Sequence, residues 1–503
     1  MQQSNTSASA YSFVLETAQL AGPEIKTTDI RNFIIDIDIF ESIEKPYLTG
    51  NVVMMDDNDL YSQINFTGIQ TLKLGFRLPE KEYKTVYKKF YIDKVVKNIR
   101  ATDREATIMF HIIEDIGFVS EYINVNKVLS GKGSEIITKL VKDYFDRTVR
   151  FVDQDKITES QQPFKLVVPN LTPIETINWV LDRMSADDGS PFYIYSTLSG
   201  VEVSRDKTNS GLFLKNWQTM FKQLNRTQYP FTFSSAEVNK SGASIEQQMF
   251  IIQSHYDNDV GDITTINDSG FVNSKFLFHD VNTNTTYIPG YDQTTVNNGS
   301  NQSLPYGKRW TANGMMDHVL SDVNLTNGIR DKYPRLGKLP FNLNTDPDDA
   351  NVSANPLIHS RPESRLISQV YSSSTQDINY YAYLEGRSDV EHLTKINSKA
   401  LKNWINFSPL TFAVPGRLFL NGDKNATVGV KYNLQFVSGS GDNIIEDKHK
   451  SGDYIVFAAR HAFSRDGGYT AHLTGVKIKG KKTVSELAPP PPSPFVPSGA
   501  GRI

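Results

Sequence analysis

Apolar and polar residues alternate with a period of two at both ends of this 503-residue chain. The run FIIDIDIF, Phe33 to Phe40, puts Phe33, Ile35, Ile37 and Ile39 on one face of a strand and Asp36 and Asp38 on the other. Further strands are predicted at Asn51 to Met55, Thr71 to Phe76, Phe90 to Lys97 and Thr107 to Ile113, separated by polar turns such as Asp56 to Asp59. Several short strands in about 100 residues predict a barrel or a sandwich.

The period then changes to 3.6. After Gly131 and Gly133 interrupt the chain, Ile136, Ile137, Leu140, Val141 and Tyr144 form one apolar stripe, which predicts a helix over Ser134 to Phe145. A second helix is predicted from Thr172, where Pro173 suits the first helical position and Glu175 completes a capping box; it should stop by Gly189. PFYIYS at Pro191 to Ser196 and VEVS at Val201 to Ser204 then read as a hairpin.

Strand composition returns at Gln247 to Ser254 and Ser274 to Phe278. The stretch from about Val281 to Gln376 is rich in Asn, Thr, Ser, Pro and Gly, and its length and weak periodicity predict an insertion. A third helix closes it, with Ser388 and Glu391 as a capping box and Leu393, Ile396, Ala400 and Trp404 as its buried stripe. Strands resume at Phe407 to Ala413, Arg417 to Leu420, Lys431 to Val437, Tyr454 to Phe463 and Tyr469 to Ile478. The last two are joined by SRDGG, where Asp466, Gly467 and Gly468 suit the left-handed angles of a tight hairpin. The chain ends in ELAPPPPSPFVPSGAGRI, whose prolines enforce an extended arm without a core.

Composition narrows the function. Lys and Arg number 53 against 56 Asp and Glu, a net charge of -3, so the basic excess of a nucleic-acid binder is missing. Cys is absent, which removes disulfides, thiolate metal sites and cysteine nucleophiles. No window approaches the roughly 18 continuous apolar residues of a membrane-spanning helix, so no stable membrane insertion is expected. The polar start, Met1 to Ala10, lacks the pattern of a secretory signal.

Motifs of chemistry are equally sparse. The nine histidines form no H-E-x-x-H helix and no i, i+4 pair. His461 and His472 are the two expected to approach each other, being in paired strands. Gly131-Lys132-Gly133-Ser134 lacks the upstream glycine of a phosphate loop and reads as a helix start, and Gly439-Ser440-Gly441 lies in a polar turn rather than a nucleophile elbow. Asn344 to Val352 concentrates carboxylates without the glycine and closing glutamate of a calcium loop. The acid pairs Asp36/Asp38 and Asp187/Asp188 could serve glycoside cleavage in principle, but an exposed strand face is the better reading of the first. No catalytic residue, cofactor or metal site is assigned, and the chain is not expected to be an enzyme.

The C-terminal hundred residues carry a family resemblance. A helix ending near Trp404, then NFSPLTFAVPGRLFLNGD, a variable loop and SGDYIVFAARHAFSRDGGYTAHLTGVKI resemble the end of the central hub proteins of contractile-tailed bacteriophage baseplates. The matching features are Val414-Pro415-Gly416, the Gly422 turn, Ser451-Gly452-Asp453-Tyr454, Arg460-His461 and the final hairpin. PYLTGNVVMMDDNDLYSQI and LTPIETINWVLDRMSADDGSPFYIY look like earlier parts of the same family.

The resemblance implies a mainly β protein of α+β class, with two tube-like antiparallel β-barrel domains, an α/β domain and an inserted domain. The expected division is an N-terminal arm at 1–12, a first barrel at 13–115, an α/β domain at 116–235, a discontinuous second barrel at 236–280 and 406–480, an inserted domain at 281–405 and a Pro-rich arm at 481–503. It implies a homotrimeric ring that joins a three-fold central spike protein to a six-fold tail tube protein, with surrounding baseplate wedge proteins and the tape measure protein as further partners. The location implied is the virion tail baseplate, assembled in the host cytoplasm. The ring would conduct DNA without binding it sequence-specifically, with Asp36 and Asp38 as channel-lining candidates. Pro489, Pro490, Pro491, Pro492 and Phe495 are candidates for an arm that docks on a partner. Two other readings are a type VI secretion spike-like protein and a virion-associated polysaccharide hydrolase.

Overall fold

The computed structural model describes residues 9–23, 25–56, 64, 66–80, 84–100, 106–151, 164–182, 184, 191–198, 212–234, 244–257, 273–280, 285–287, 290–292, 365–371, 409–420, 427–438, 445–447 and 450–478. The predicted helix at 388–404, the strand at 201–204 and the proline arm lie outside the described residues.

Seven strands come first: β1 (Val14–Gly22), β2 (Ile25–Asp29), β3 (Ile34–Ser42), β4 (Thr49–Asp56), β5 (Thr71–Arg77), β6 (Val86–Arg100) and β7 (Ala106–Glu114). Alternation explains them. In β7 Ala106, Ile108, Phe110, Ile112 and Glu114 are buried and every residue between them is half-exposed. In β3 Ile37 and Ile39 face inward as the pattern predicted, but they are joined by Ile34 and Glu41 rather than by Phe33 and Ile35. A bulge between Ile34 and Asp36, against β4, shifts the phase by one residue.

A mixed unit follows: α1 (Asp115–Ser120), β8 (Val128–Gly131), α2 (Gly133–Phe145), β9 (Val149–Phe151), β10 (Phe164–Val167), α3 (Pro173–Leu181), β11 (Phe192–Tyr195), β12 (Leu212–Asn216) and α4 (Trp217–Lys222). The predicted stripe of α2 packs with Ile177, Val180 and Leu181 of α3 and with Ile194, Leu212 and Leu214 in a second core. Thr172 and Glu175 cap α3 reciprocally, and the helix stops at Leu181, within the limit that Gly189 set. The antiparallel partner of β11 is β12.

Next come β13 (Phe231–Ser234), α5 (Ile245–Gln248) and β14 (Ser254–Asp257). The strand expected at Gln247 to Ser254 is therefore mostly a helical turn, because Ser244 and Gln247 form a capping box that competes with sheet pairing. β15 (Asn273–Asp280), β16 (Thr285–Tyr287), β17 (Gly290–Asp292) and β18 (Arg365–Tyr371) make a separate sheet in which β18 runs parallel to β15.

The chain returns with β19 (Pro409–Pro415), a 3-10 helix at Gly416–Leu420, β20 (Val430–Ser438), β21 (Ile445–Glu446), β22 (Gly452–Ser464) and β23 (Gly468–Ile478). The segment Arg417 to Leu420 was expected to be a strand. Gly416 instead lets the backbone turn against Tyr469, whose ring would lie 2.3 Å from any Cβ there. In the final hairpin only Gly468 has a left-handed φ, +78°, among Asp466, Gly467 and Gly468.

The main sheet has 14 strands and is mostly antiparallel, ordered β14-β19-β23-β22-β3-β4-β7-β6-β5-β1-β2, with β20 on β22, and β13 and β21 on β20. One plan occurs in it twice. The order β5-β6-β7-β4-β3 in the first half matches β20-β22-β23-β19-β14 in the second, with every neighbour antiparallel. Both sets also visit these positions in the same order along the chain. The two units are joined edge to edge where Asp36 to Ser42 of β3 pair with Ala458 to Ser464 of β22.

A single hydrophobic core runs beneath both units. Phe76 of β5 stacks on Phe463 of β22 at 4.2 Å between ring centroids, and Phe463 stacks on Tyr469 at 4.1 Å. Truncating this ring removes packing from both units at once. Phe463→Ala is expected to cost about 3–5 kcal/mol, read as a lowered urea midpoint that covers the strands of both halves rather than one.

Candidate functional site

The apolar faces of β3, β6 and β7 each carry a charged residue. Glu41 follows Ile37 and Ile39 on the inward face of β3, Lys88 precedes Phe90 and Ile92 on that of β6, and Glu114 ends the inward series of β7. A buried charge requires partners, and here they come from other parts of the chain.

The Glu41 side chain is 0% exposed and that of His461, from β22, is 1% exposed; His461 Nε2 lies 3.0 Å from Glu41 Oε1. A carboxylate only accepts, so Nε2 carries a proton toward it. Thr427 Oγ1, just before β20, donates to Glu41 Oε2, and the Leu198 backbone N–H, just after β11, donates to Oε1. On the far side of the ring, His461 Nδ1 is 2.6 Å from the Tyr469 hydroxyl. Burial by itself would raise the Glu41 carboxyl, yet the His461 charge and the three donors hold it below its ordinary range. Burial and the nearby Glu41 push the Tyr469 phenol well up.

Lys88 extends the junction. Its Nζ donates to the Thr197 carbonyl at 2.7 Å, one residue before Leu198. Burial lowers the Lys88 ammonium, with Glu114 pulling the other way. Glu114 Oε2 accepts from the Leu48 N–H at 3.0 Å. Arg147 Nη1 lies 3.7 Å from Glu114 Oε1, and Nη2 donates to Asp115 Oδ1. Asp146, with a left-handed φ of 49°, ends α2 and turns the chain so that Arg147 enters this site. The mixed unit also holds the second β unit at Gly429, whose carbonyl accepts from Lys215 Nζ at 3.2 Å and Gln223 Nε2 at 3.1 Å. Gly429 is required there, because its φ is +68° and a Cβ would sit 2.0 Å from the Tyr195 hydroxyl.

Asp36 and Asp38 lie on the opposite, outward face of β3, across from Ser464 and Ala462 of β22. Asp38 accepts two hydrogen bonds from Arg460, at 2.9 and 3.0 Å, so it takes part in the joint between the units. Pro489, Pro490, Pro491, Pro492 and Phe495 are outside the described residues. His461 and His472 do not come together: His461 pairs with Ala471 while His472 pairs with Arg460, so a one-residue offset sends the two rings to opposite faces. Glu41, Lys88 and Glu114 were not singled out in the sequence, although they stand at apolar positions of a period-two pattern; His461 was singled out only for a pairing with His472 and as part of the Arg460-His461 feature. Among the described residues, no group of three or more His, Asp or Glu is placed to hold a metal ion, and no described helix is long and apolar enough to cross a membrane, which says nothing of strands.

The fold and this site define a mainly antiparallel β protein in which two like units and a mixed unit are fastened by a buried network of charged and polar groups. Solved structures similar to it include the tail protein from Neisseria meningitidis MC58, at 10% identity and a TM-score of 0.42, covering 92% of this chain and 96% of that one. The 43 kDa tail protein of prophage MuSo2 from Shewanella oneidensis is similar at 10% identity and a TM-score of 0.46, covering 92% and 98%. An E. coli component of the type VI secretion system, described as structurally similar to T4 bacteriophage tail proteins, is similar at 6% identity and a TM-score of 0.35, covering 92% and 79%. No protein-family model matches the chain, and no curated protein matches its sequence.

Inner and outer charges differ in consequence. Glu41→Gln, which leaves a buried imidazole without its carboxylate, is expected to cost about 3–5 kcal/mol at pH 7, whereas Asp38→Ala, at a partly exposed pair, costs less than about 1 kcal/mol. Because the folded-state carboxyl of Glu41 titrates below its ordinary 4.5, its contribution is complete above that pH and is lost as pH falls through the lowered value. Urea midpoints of Glu41→Gln and the parent chain should therefore converge as pH drops below 4.5.

Proposed function

We propose that the protein is a structural hub of a phage tail baseplate, a homotrimeric ring that adapts a three-fold central spike to a six-fold tail tube and forms part of the DNA conduit. The observation that carries this reading is the repeated strand plan: β5-β6-β7-β4-β3 and β20-β22-β23-β19-β14 lie side by side in one sheet. Closed rings repeat one interface, so a three-fold ring meets a six-fold one only if each chain presents the interface twice. Two like units per chain make six around three chains. In this reading each unit is a tube-like barrel, and the mixed unit fastens the pair.

The role is mechanical. The Glu41–His461 pair is closed to any substrate, and a scaffold under load gains from a joint whose rupture strands a buried charge. The outward face of the joined sheet lines the bore, with Asp36 and Asp38 on it. Arg460 neutralises Asp38, so the lining is of mixed sign rather than a continuous acidic band. Dense cationic contacts would retain DNA through counterion release, and a balanced face avoids that. The spike protein, the tube protein, the wedge proteins and the tape measure protein are the partners of this assembly, and the arm with Pro489 to Pro492 and Phe495 is a docking element for one of them.

Light scattering of the purified chain, alone and coexpressed with its spike, is expected to give a trimer of about 170 kDa, three times 56.6 kDa, before any spike mass is added. Electron micrographs should show a hollow ring with six similar lobes. A chain that stays monomeric in both preparations, or a ring without a bore, removes the reading.

A further inference from the structure

The joint inside the chain has a counterpart with no occupant among the described residues. β22 uses one edge for two partners: Gly452 to Val456 pair with β20, and Ala458 to Ser464 pair with β3, with a bulge at the changeover between Val456 and Ala458. β6 holds the same place in the first unit. Val86 to Tyr91 pair with β5, a bulge follows between Ile92 and Lys94, and the stretch Lys94 to Arg100, which has a further bulge between Val95 and Lys97 that β22 lacks, is paired with β7 on one side only among the described residues. The strand that corresponds to β3 in the second unit is β14, at the end of the sheet order, paired with β19 and with no other described strand.

Each unit thus presents half of a joint. We propose that β14 of one copy of this chain pairs antiparallel with the Lys94–Arg100 half of β6 in a second copy, repeating between chains the pairing that β3 and β22 make within each chain. The inference rests on the ring proposed above and names the surface that closes it.

The register follows from the repeated plan. Thr107 of β7 pairs with Met55 and Ile99, as Thr470 of β23 pairs with Pro415 and Ala462, so Ile99 stands where Ala462 does. Asp38 pairs with Asn51 and thence His111, as Tyr256 pairs with Thr411 and thence Thr474, so Tyr256 stands where Asp38 does. Ala462 faces Asp38 inside the chain, and Ile99 therefore faces Tyr256 of the second copy.

The side chains agree with that placement. Ile99 is 47% exposed, Val96 in the second bulge of β6 49% and Tyr256 58%, large apolar groups on strands otherwise edged by Lys94, Lys97 and Asp257. An open strand edge with apolar residues is an aggregation hazard unless a specific partner covers it. A β-branched residue opposite an aromatic ring is a favourable cross-strand pair. The contact is head-to-tail, and it closes only if the rotation matches the one built in between the two units.

Paired cysteines test this cleanly because the chain has no Cys of its own. Directly opposed residues in an antiparallel pair have Cα atoms about 4.5–5.5 Å apart, within disulfide range. The full chain carrying both Ile99→Cys and Tyr256→Cys, treated with a mild oxidant, is expected to give covalent dimers and trimers on non-reducing gels, while neither single variant does. A trimer by light scattering that yields no covalent ladder from the double variant overturns the strand pairing and leaves the hub reading standing. A ladder running past three chains supports the pairing and overturns the closed ring. A chain that never associates overturns both. As a second arm, Tyr256→Lys is expected to weaken association at least tenfold with an unchanged circular-dichroism spectrum, since the residue is exposed in the single chain; unchanged association overturns the proposal.

Discussion

One edge of β22 has to satisfy two strands in succession, and the rest of the molecule is arranged around that demand. Its first residues complete a sheet with β20; past a bulge, the same edge belongs to β3, more than 400 residues away in the chain by the pairing of Asp38 with Ala462. Such a long-range pairing brings a large loop-closure cost that local contacts cannot offset. The aromatic stack of Phe76, Phe463 and Tyr469 and the buried Glu41 network supply the compensation at that place.

The network also explains why the units are fastened rather than merely adjacent. Glu41 comes from the first unit, His461 and Thr427 from the second, and Leu198 from the mixed unit, so no one unit folds with this site complete. Lys88 and Thr197 repeat the arrangement one step along. A purely apolar contact of the same size would be more forgiving of sliding. Hydrogen-bonded charges in a low-dielectric interior are not, because each displacement leaves a group unpaired. The outward pair of Asp38 and Arg460 marks the same joint but is partly solvated and contributes little to its strength.

Much of the local structure was legible from residue patterns. The strands from β3 to β7, the α2 stripe and the Thr172–Glu175 cap of α3 all sit where the periods and capping residues put them, within a few residues. The failures have physical causes. The bulge in β3 changed its phase ahead of Asp36, so that Ile34 rather than Phe33 and Ile35 turned inward while Ile37 and Ile39 stayed inward, Ser244 and Gln247 turned a nominal strand into a helical turn, and the close approach of Tyr469 to Gly416 bent another into a 3-10 helix. His461 and His472 separated because sheet faces alternate at every residue, so a prediction of neighbouring strands does not fix which side chains meet.

Period, capping and composition by themselves determined that this is a mainly β protein with a helical section, without cysteine chemistry or a recognisable catalytic motif, because those properties depend on neighbours along the chain. They also left a readable mark in Glu41, Lys88 and Glu114, charges at apolar positions. Tertiary structure alone decided their use. Which carboxylate meets which imidazole, and that two β units share a sheet in matching strand order, depend on pairings between segments hundreds of residues apart. Those pairings are selected by packing and register in three dimensions, for which no local pattern carries the information.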